Sequence, residues 1–290
     1  MPQPVRTVLL LLPALLVVTA LFLGGLYLAV KESLGYEPVI GQTALSLDAY
    51  RALLDDTEVR RSIALTVRLA LTATAVSAAL GVACALLIRR LRWGRRAAAF
   101  VFQLALPVPH VVGALAAFLL LDQAGLLSRV LHAVGLVGAP ASAPELTMDG
   151  FGFAILAEYV WKEAPFIGVV VLAALAGGIA ELEDVAGSLG AGPWRRFRYV
   201  VLPLITPAVL STSVIVFAFS FGSYEVPFLL GRSFPTTLPV VAYQSYTQTD
   251  ITDHVRGAAI NVTITAIVAL VVLLYLVLTE RALRPTRSRA

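Results

Sequence analysis

Three ionisable residues, Glu158, Lys162 and Glu163, stand inside one strongly apolar stretch of the sequence. A charge at mid-membrane costs about 2.5–3.5 kcal/mol even on the gentler insertion scale, so such groups pair or face water. Glu158 and Lys162 are four residues apart, the spacing at which a carboxylate and an ammonium meet on one helix face. Two roles fit them: a structural pair, or a lining of a polar translocation path. Tyr224 and Glu225 follow the next apolar stretch, and a carboxylate beside an aromatic ring suits a cationic solute. The same segment also reads as a re-entrant loop packed against a partner subunit. The remaining candidates are bland. His110, His132 and His254 lie far apart without ligand spacing and read as loop or helix-end residues. Gly190 and Gly192 start a dinucleotide-like pattern, but Arg195 stands where its third glycine belongs. There is no G-x-x-x-x-G-K-[ST] loop, no H-E-x-x-H and no G-x-S-x-G. Cys84 is the only cysteine, which excludes an intrachain disulfide and a cysteine metal cluster. No catalytic, metal or cofactor residue is assigned, and without a nucleotide-binding motif the chain is not expected to hydrolyse ATP itself.

The elements that must hold these residues are membrane helices. Apolar residues make up 59% of the 290 and charged residues 14%, with a mean hydropathy of +0.86, far from the balance of a soluble domain. A span needs about 20 apolar residues to cross roughly 30 Å of hydrocarbon. Six stretches qualify: 8–30, 62–88, 97–121, 151–178, 204–222 and 257–279. The first exceeds the apolar core of a signal peptide and lacks a clear cleavage site, so it reads as a retained helix. Pro107 and Pro109 are expected to kink the third, with the freed carbonyls satisfied by neighbours, or to form a gate. Ala73, Ser77 and Gly81 recur at four-residue intervals and mark a close helix contact, within the chain or with another. The expected organisation is an N-terminal helix and external loop at 1–60, a core at 61–280 and a basic tail at 281–290.

Arginines orient this all-α, six-helix polytopic protein. Arg6, then Arg89, Arg90, Arg92, Arg95 and Arg96, then Arg195, Arg196 and Arg198, then Arg281, Arg284, Arg287 and Arg289 fall on one side, which is the cytoplasm. Both termini should be cytoplasmic. The pI near 9.4 follows from this sorting and does not imply nucleic acid.

The loop at 181–207 carries the clearest pattern. Leu182, Val185, Ala186 and Leu189 recur at i, i+3, i+4 and i+7, while Glu181, Glu183, Asp184 and Ser188 take other faces. Gly190, Gly192 and Pro193 supply a stop. A second short segment carries Trp194, Phe197 and Val201, and Pro203 is placed to begin the fifth span, where its missing N–H costs least. The alternative is an amphipathic helix resting on lipid headgroups.

These residues resemble the EAA motif of binding-protein-dependent ABC permeases, Glu-Ala-Ala, three residues, Gly, nine residues, Ile-x-Leu-Pro. Asp184, Val185 and Ala186 stand at the Glu-Ala-Ala positions, Gly190 at the glycine, Val200 at the isoleucine and Leu202 and Pro203 at the final pair. Aspartate and valine are the two departures, and Glu183 leaves open which carboxylate acts. Stretches at 106–109, 125–128, 161–166 and 221–231 are similar to those of spermidine/putrescine permeases. The resemblance implies the type I importer fold, and a coupling helix in which Glu183, Asp184, Ala186, Gly190, Ala191, Leu202 and Pro203 engage an ATPase. It further implies two ATPase subunits that would hold the ATP and its magnesium, a second permease subunit, identical or homologous, an external solute-binding protein, and a place in a bacterial inner membrane. The solute it implies is a polyamine, with ferric ion, thiamine or a sugar-type solute as alternatives. An ion-gradient-driven transporter and a membrane enzyme are the competing classes; the first should show internal repeats with paired broken helices, which are not detected.

Overall fold

A computed structural model describes residues 3–38, 41–250 and 252–283; residues 284–290 of the expected basic tail, with Arg284, Arg287 and Arg289, lie outside them. Among the described residues the secondary structure is helical, with one isolated antiparallel bridge between Glu37 and Gln42. Five helical stretches are long and apolar enough to cross a membrane, and Phe153–Leu175 joined to Ile179–Ser188 across a 62° bend makes up to six.

The chain divides into two compact units, Met1–Arg61 with Leu238–Ala266 and Ser62–Thr237 with Ile267–Ala290. The first contains α1 (Gln3–Ser33), α2 (Asp48–Asp55), the start of α3 (Thr57–Arg90), α12 (Leu238–Tyr246) and the first part of α13 (Thr252–Leu283). No residue in the most apolar window of α1 is buried, as expected of side chains that meet lipid. Asp56 caps α3: its Oδ1 accepts from the amide of Glu58 at 2.7 Å and from that of Val59 at 3.4 Å. Its Oδ2 accepts from Arg256 in α13 at 2.8 Å, and Glu58 accepts from the same guanidinium at 3.2 Å.

The second unit is built around α7 (Phe153–Leu175), against which pack α4 (Arg95–Gln103), α5 (His110–Leu121), α10 (Leu202–Gly222) and α11 (Glu225–Leu230). With 23 residues, α7 is about 34 Å long, enough to span. One apolar core gathers Leu69, Ala114, Ile155, Tyr159, Val226 and Leu230; another joins Ile167, Val171, Leu175, Val201, Ile205 and Val216. The small-residue stripe of α3 is a contact within the chain. Ala73 and Ser77 are buried, and a Cβ at Gly81 would lie 2.7 Å from the carbonyl oxygen of Ala164 in α7.

Two expected spans have different bounds. The third stretch is broken, not kinked: α4 ends at Gln103, and α5 starts at His110 after an extended Pro109 (φ −60°, ψ 144°). The apolar span is His110–Ala133, which adds α6 (Leu126–Ala133). Pro107 and Pro109, just before the new helix, lack the donors that would carry α4 onward. The fifth span begins at Pro193, not Pro203. α9 (Pro193–Arg196) runs through a π-helical turn, Phe197–Val201, into α10. Pro193 takes the first-turn position, and the widened turn before Pro203 accommodates its missing N–H.

Candidate functional site

The break between α4 and α5 interrupts the helical hydrogen-bond ladder just before the His110–Ala133 span, where a buried carbonyl left without a donor is costly. Lys162 of α7 supplies the donors. Its Nζ lies 2.8 Å from the oxygen of Ala105, 3.1 Å from that of Leu106 and 2.5 Å from that of Val108. Lys162 is 6% exposed, so its charge is dispersed over three carbonyl dipoles and needs no carboxylate. The pair expected between Glu158 and Lys162 is therefore not formed.

Glu158 instead accepts from His110, with Nδ1 to Oε1 at 3.1 Å. His110 Nε2 faces Glu163 Oε1 at 3.6 Å, longer than a hydrogen bond. The imidazole, first residue of α5, thus sits between two carboxylates of α7 and against the ring of Phe219 in α10, centroids 4.3 Å apart. Gly113 makes room for this arrangement, since a Cβ there would lie 2.8 Å from Glu158 Oε1. His110 is the helix-end residue that its sequence position suggested, but its part in the cluster, like those of Gly113 and Phe219, was not read from the sequence. The usable signal for His110 was its place immediately after Pro107 and Pro109; nothing in the sequence singles out Gly113 or Phe219. The result is a buried polar cluster joining α5 and α7 across the broken span.

Tyr224 and Glu225 stand at the turn between α10 and α11. Tyr224 is half-exposed with its ring 6.3 Å from that of Phe228, and Glu225 places a carboxylate at the start of α11. Val226, Pro227 and Leu230 bury the other side of α11 against α5 and α7. This side of α11 thus packs within its own chain.

The loop at 181–207 forms the second cluster. α8 (Ile179–Ser188) begins after Gly178 and carries Glu181 in its first turn. Its end is a Schellman turn: the amide of Gly190 bonds to the Gly187 carbonyl at 3.0 Å and that of Ala191 to the Ala186 carbonyl at 3.0 Å. Gly190 has φ +84°, a backbone region open to glycine at little cost. Leu182, Val185 and Leu189 are 51%, 58% and 83% exposed, so the apolar stripe of α8 is not covered by this chain. Glu183 is engaged by Arg89 at the end of α3. Asp184 is exposed and forms no ion pair among the described residues. Leu202 and Pro203 lie inside the continuous helix that follows, beside the buried Val201.

Residues 77–284 match the model of a family described as "Binding-protein-dependent transport system inner membrane component". The chain is similar to the inner membrane ABC transporter permease protein YnjC of Escherichia coli (strain K12), 30% identical over 241 residues that cover 80% of this chain and 43% of YnjC. This chain thus spans less than half of that relative's length. It is also similar to the molybdenum transport system permease protein ModB of Mycobacterium tuberculosis (strain ATCC 25618 / H37Rv), 30% identical over 224 residues, 77% of this chain and 80% of ModB. Among solved structures it resembles a chain of a bacterial ABC transporter involved in the import of the acidic polysaccharide alginate, with TM-score 0.80 and 19% identity over 97% of this chain and 99% of that one. The same holds for a bacterial alginate transporter in complex with an alginate pentasaccharide-bound periplasmic protein, with TM-score 0.79, 19% identity and coverage of 97% and 98%. At that identity the likeness establishes the fold.

Proposed function

The chain belongs to the family of inner membrane components of binding-protein-dependent transport systems, and from that premise we propose that it is the permease subunit of an ATP-driven importer. It is a multi-pass protein of the inner membrane type. In this reading a solute-binding protein delivers a polar solute to the membrane cavity, and α8 couples the motion of ATPase subunits to the spans.

The observation that carries the proposal is the state of α8. The helix is capped at its end and braced by the bond that Arg89 donates to Glu183, and it leaves Leu182, Val185, Leu189 and Asp184 exposed. A rigid helix with an uncovered apolar stripe and an unpaired charge suits insertion into a groove of another subunit. Ala186, Gly190 and Ala191 form the terminating turn, and Leu202 and Pro203 join the loop to the span. One α8 per chain and paired ATPases imply a second permease subunit, identical or homologous. The termini are proposed to be cytoplasmic, on the side of the arginine clusters.

Glu158 and Lys162 hold the broken span together, and we place the translocation path beside them, with Tyr224 and Glu225 at its outer mouth. The solute is left at a small polar species delivered by a binding protein. The polyamine expected from the resemblance finds no support in these proteins: YnjC's name gives no solute, ModB's concerns molybdenum, and the structural neighbours concern alginate.

Reconstitution into liposomes with the cognate ATPase and solute-binding protein tests this function. Uptake should require ATP, the ATPase and the binding protein together; uptake driven by an ion gradient with the chain alone would overturn it. Single cysteines replacing Arg92 and Arg195 should react only from the cytoplasmic side, and those replacing Asp55 and Glu145 only from outside. A swap between these pairs would reject the orientation.

A further inference from the structure

Behind α8, the end of α3 and the start of α9 enclose a cavity of about 500 Å³, within the size range of small-ligand sites. Three guanidinium groups line it, those of Arg89, Arg90 and Arg196, together with the carboxylate of Glu183. Arg89 is taken up by Glu183, but Arg90 and Arg196 have no ion-pair partner among the described residues. The Nε of Arg196 is buried and makes no hydrogen bond, an unsatisfied donor of the kind that calls for an acceptor. Its guanidinium lies against α8 where Gly187 has no side chain: a Cβ there would be 3.3 Å from Nη1. The other wall is apolar, formed by Leu86, Phe197 and Val201.

We propose that this cavity binds a phosphate-bearing anion, with the phosphate between Arg90 and Arg196. Guanidinium forks match phosphate oxygens bidentately, which an ammonium cannot do. The position, at one end of two membrane spans with an apolar wall continuing into them, matches basic pockets between helices that hold lipid headgroups. An anionic phospholipid would lay its headgroup on the arginines and its first methylenes on Leu86 and Phe197. Inorganic phosphate would use the arginines alone. Either would brace α8 against α3 and α9, so occupancy would bear on how rigidly α8 is presented.

The test is native mass spectrometry and thermal shift of the purified full chain in detergent, titrated with phosphatidylglycerol, phosphatidylcholine and inorganic phosphate. Wild-type protein should retain phosphatidylglycerol and lose about tenfold or more of that affinity in the Arg90→Gln, Arg196→Gln double variant, each arginine contributing a separate attraction. Arg95→Gln, outside the cavity, should leave it unchanged. The Arg90→Lys, Arg196→Lys variant should fold like wild type and fall between the two. Selective gain with phosphatidylglycerol identifies a lipid; equal gain with inorganic phosphate identifies a soluble anion. Binding that is the same in wild type and the double glutamine variant, or that falls equally with Arg95→Gln, overturns the proposal.

Discussion

Glu183 of α8 is held by Arg89 at the end of α3, while its neighbour Asp184 is exposed and forms no ion pair among the described residues. Two adjacent acids in one short helix thus have different surroundings. Glu183 ties the helix to the end of α3, and in the proposed function Asp184 is the charge offered to a partner.

The two acids should therefore respond differently to substitution. Asp184→Lys is expected to leave the protein inserted and equally stable, and to lower ATP-coupled uptake about tenfold, equivalent to ~1.4 kcal/mol lost across the interface. Glu183→Gln should instead lower the stability of the isolated chain while weakening ATPase association less. Thermal melting and co-purification with the ATPase, measured side by side, would show the reverse ranking if the roles were exchanged.

Lys162 should matter more to stability than Glu158. Lys162→Met removes the ammonium donor from the carbonyls of Ala105, Leu106 and Val108, of which only Ala105 keeps a backbone donor among the described residues, the Val108 amide, and should cost about 3 kcal/mol in denaturant unfolding. Because Lys162 and Glu158 bond to different partners, a double-mutant cycle between Lys162→Met and Glu158→Gln should give a coupling below about 0.5 kcal/mol. A coupling of several kcal/mol would restore the ion pair that the spacing alone suggests.

Gly81 is a packing glycine and Gly24 is not. Gly81→Ala would drive a methyl to 2.7 Å from the Ala164 carbonyl oxygen and should destabilise by about 1–3 kcal/mol. At Gly24 in α1 an added Cβ would meet nothing within 4 Å, so Gly24→Ala should be neutral or stabilising by up to ~1 kcal/mol through helix propensity. Thermal unfolding of the two variants in detergent checks the contrast.

Acid should loosen the start of α3. Burial opposes ionisation of Asp56, but the amides of Glu58 and Val59 and the Arg256 guanidinium outweigh it and hold the carboxyl below the ordinary aspartate value. A lowered folded value means that the contribution is fully present above the unfolded-state value and is lost as pH falls through the folded one. Hydrogen exchange at the Glu58 and Val59 amides should therefore lose protection only in the acid range below the ordinary aspartate value. In Asp56→Ala the protection should be lower at all pH values, with a capping loss of about 1 kcal/mol. Protection that rises on acidification would contradict the assignment.

The membrane class, the number of candidate spans and the α8 turn were legible in the sequence because each depends on local order. An apolar run of the right length has to be shielded from water wherever it folds, and Gly190 after an i, i+3, i+4, i+7 stripe can end a helix in a Schellman turn by its own backbone freedom. The partners of the charged groups were not legible. Helical spacing put Glu158 and Lys162 on one helix face, but only the folded chain brings the carbonyls around Pro107 and Pro109 to the ammonium and brings His110 to the carboxylate. A buried charge takes the partners whose desolvated dipoles most need it, and these came from 48 residues away in the case of His110 and Glu158. The same holds for α8: the sequence by itself determined that a short amphipathic helix with two adjacent acids would form there. Tertiary structure decided that Glu183 turns inward to Arg89 and Asp184 outward, because the end of α3 lies on one side of that helix.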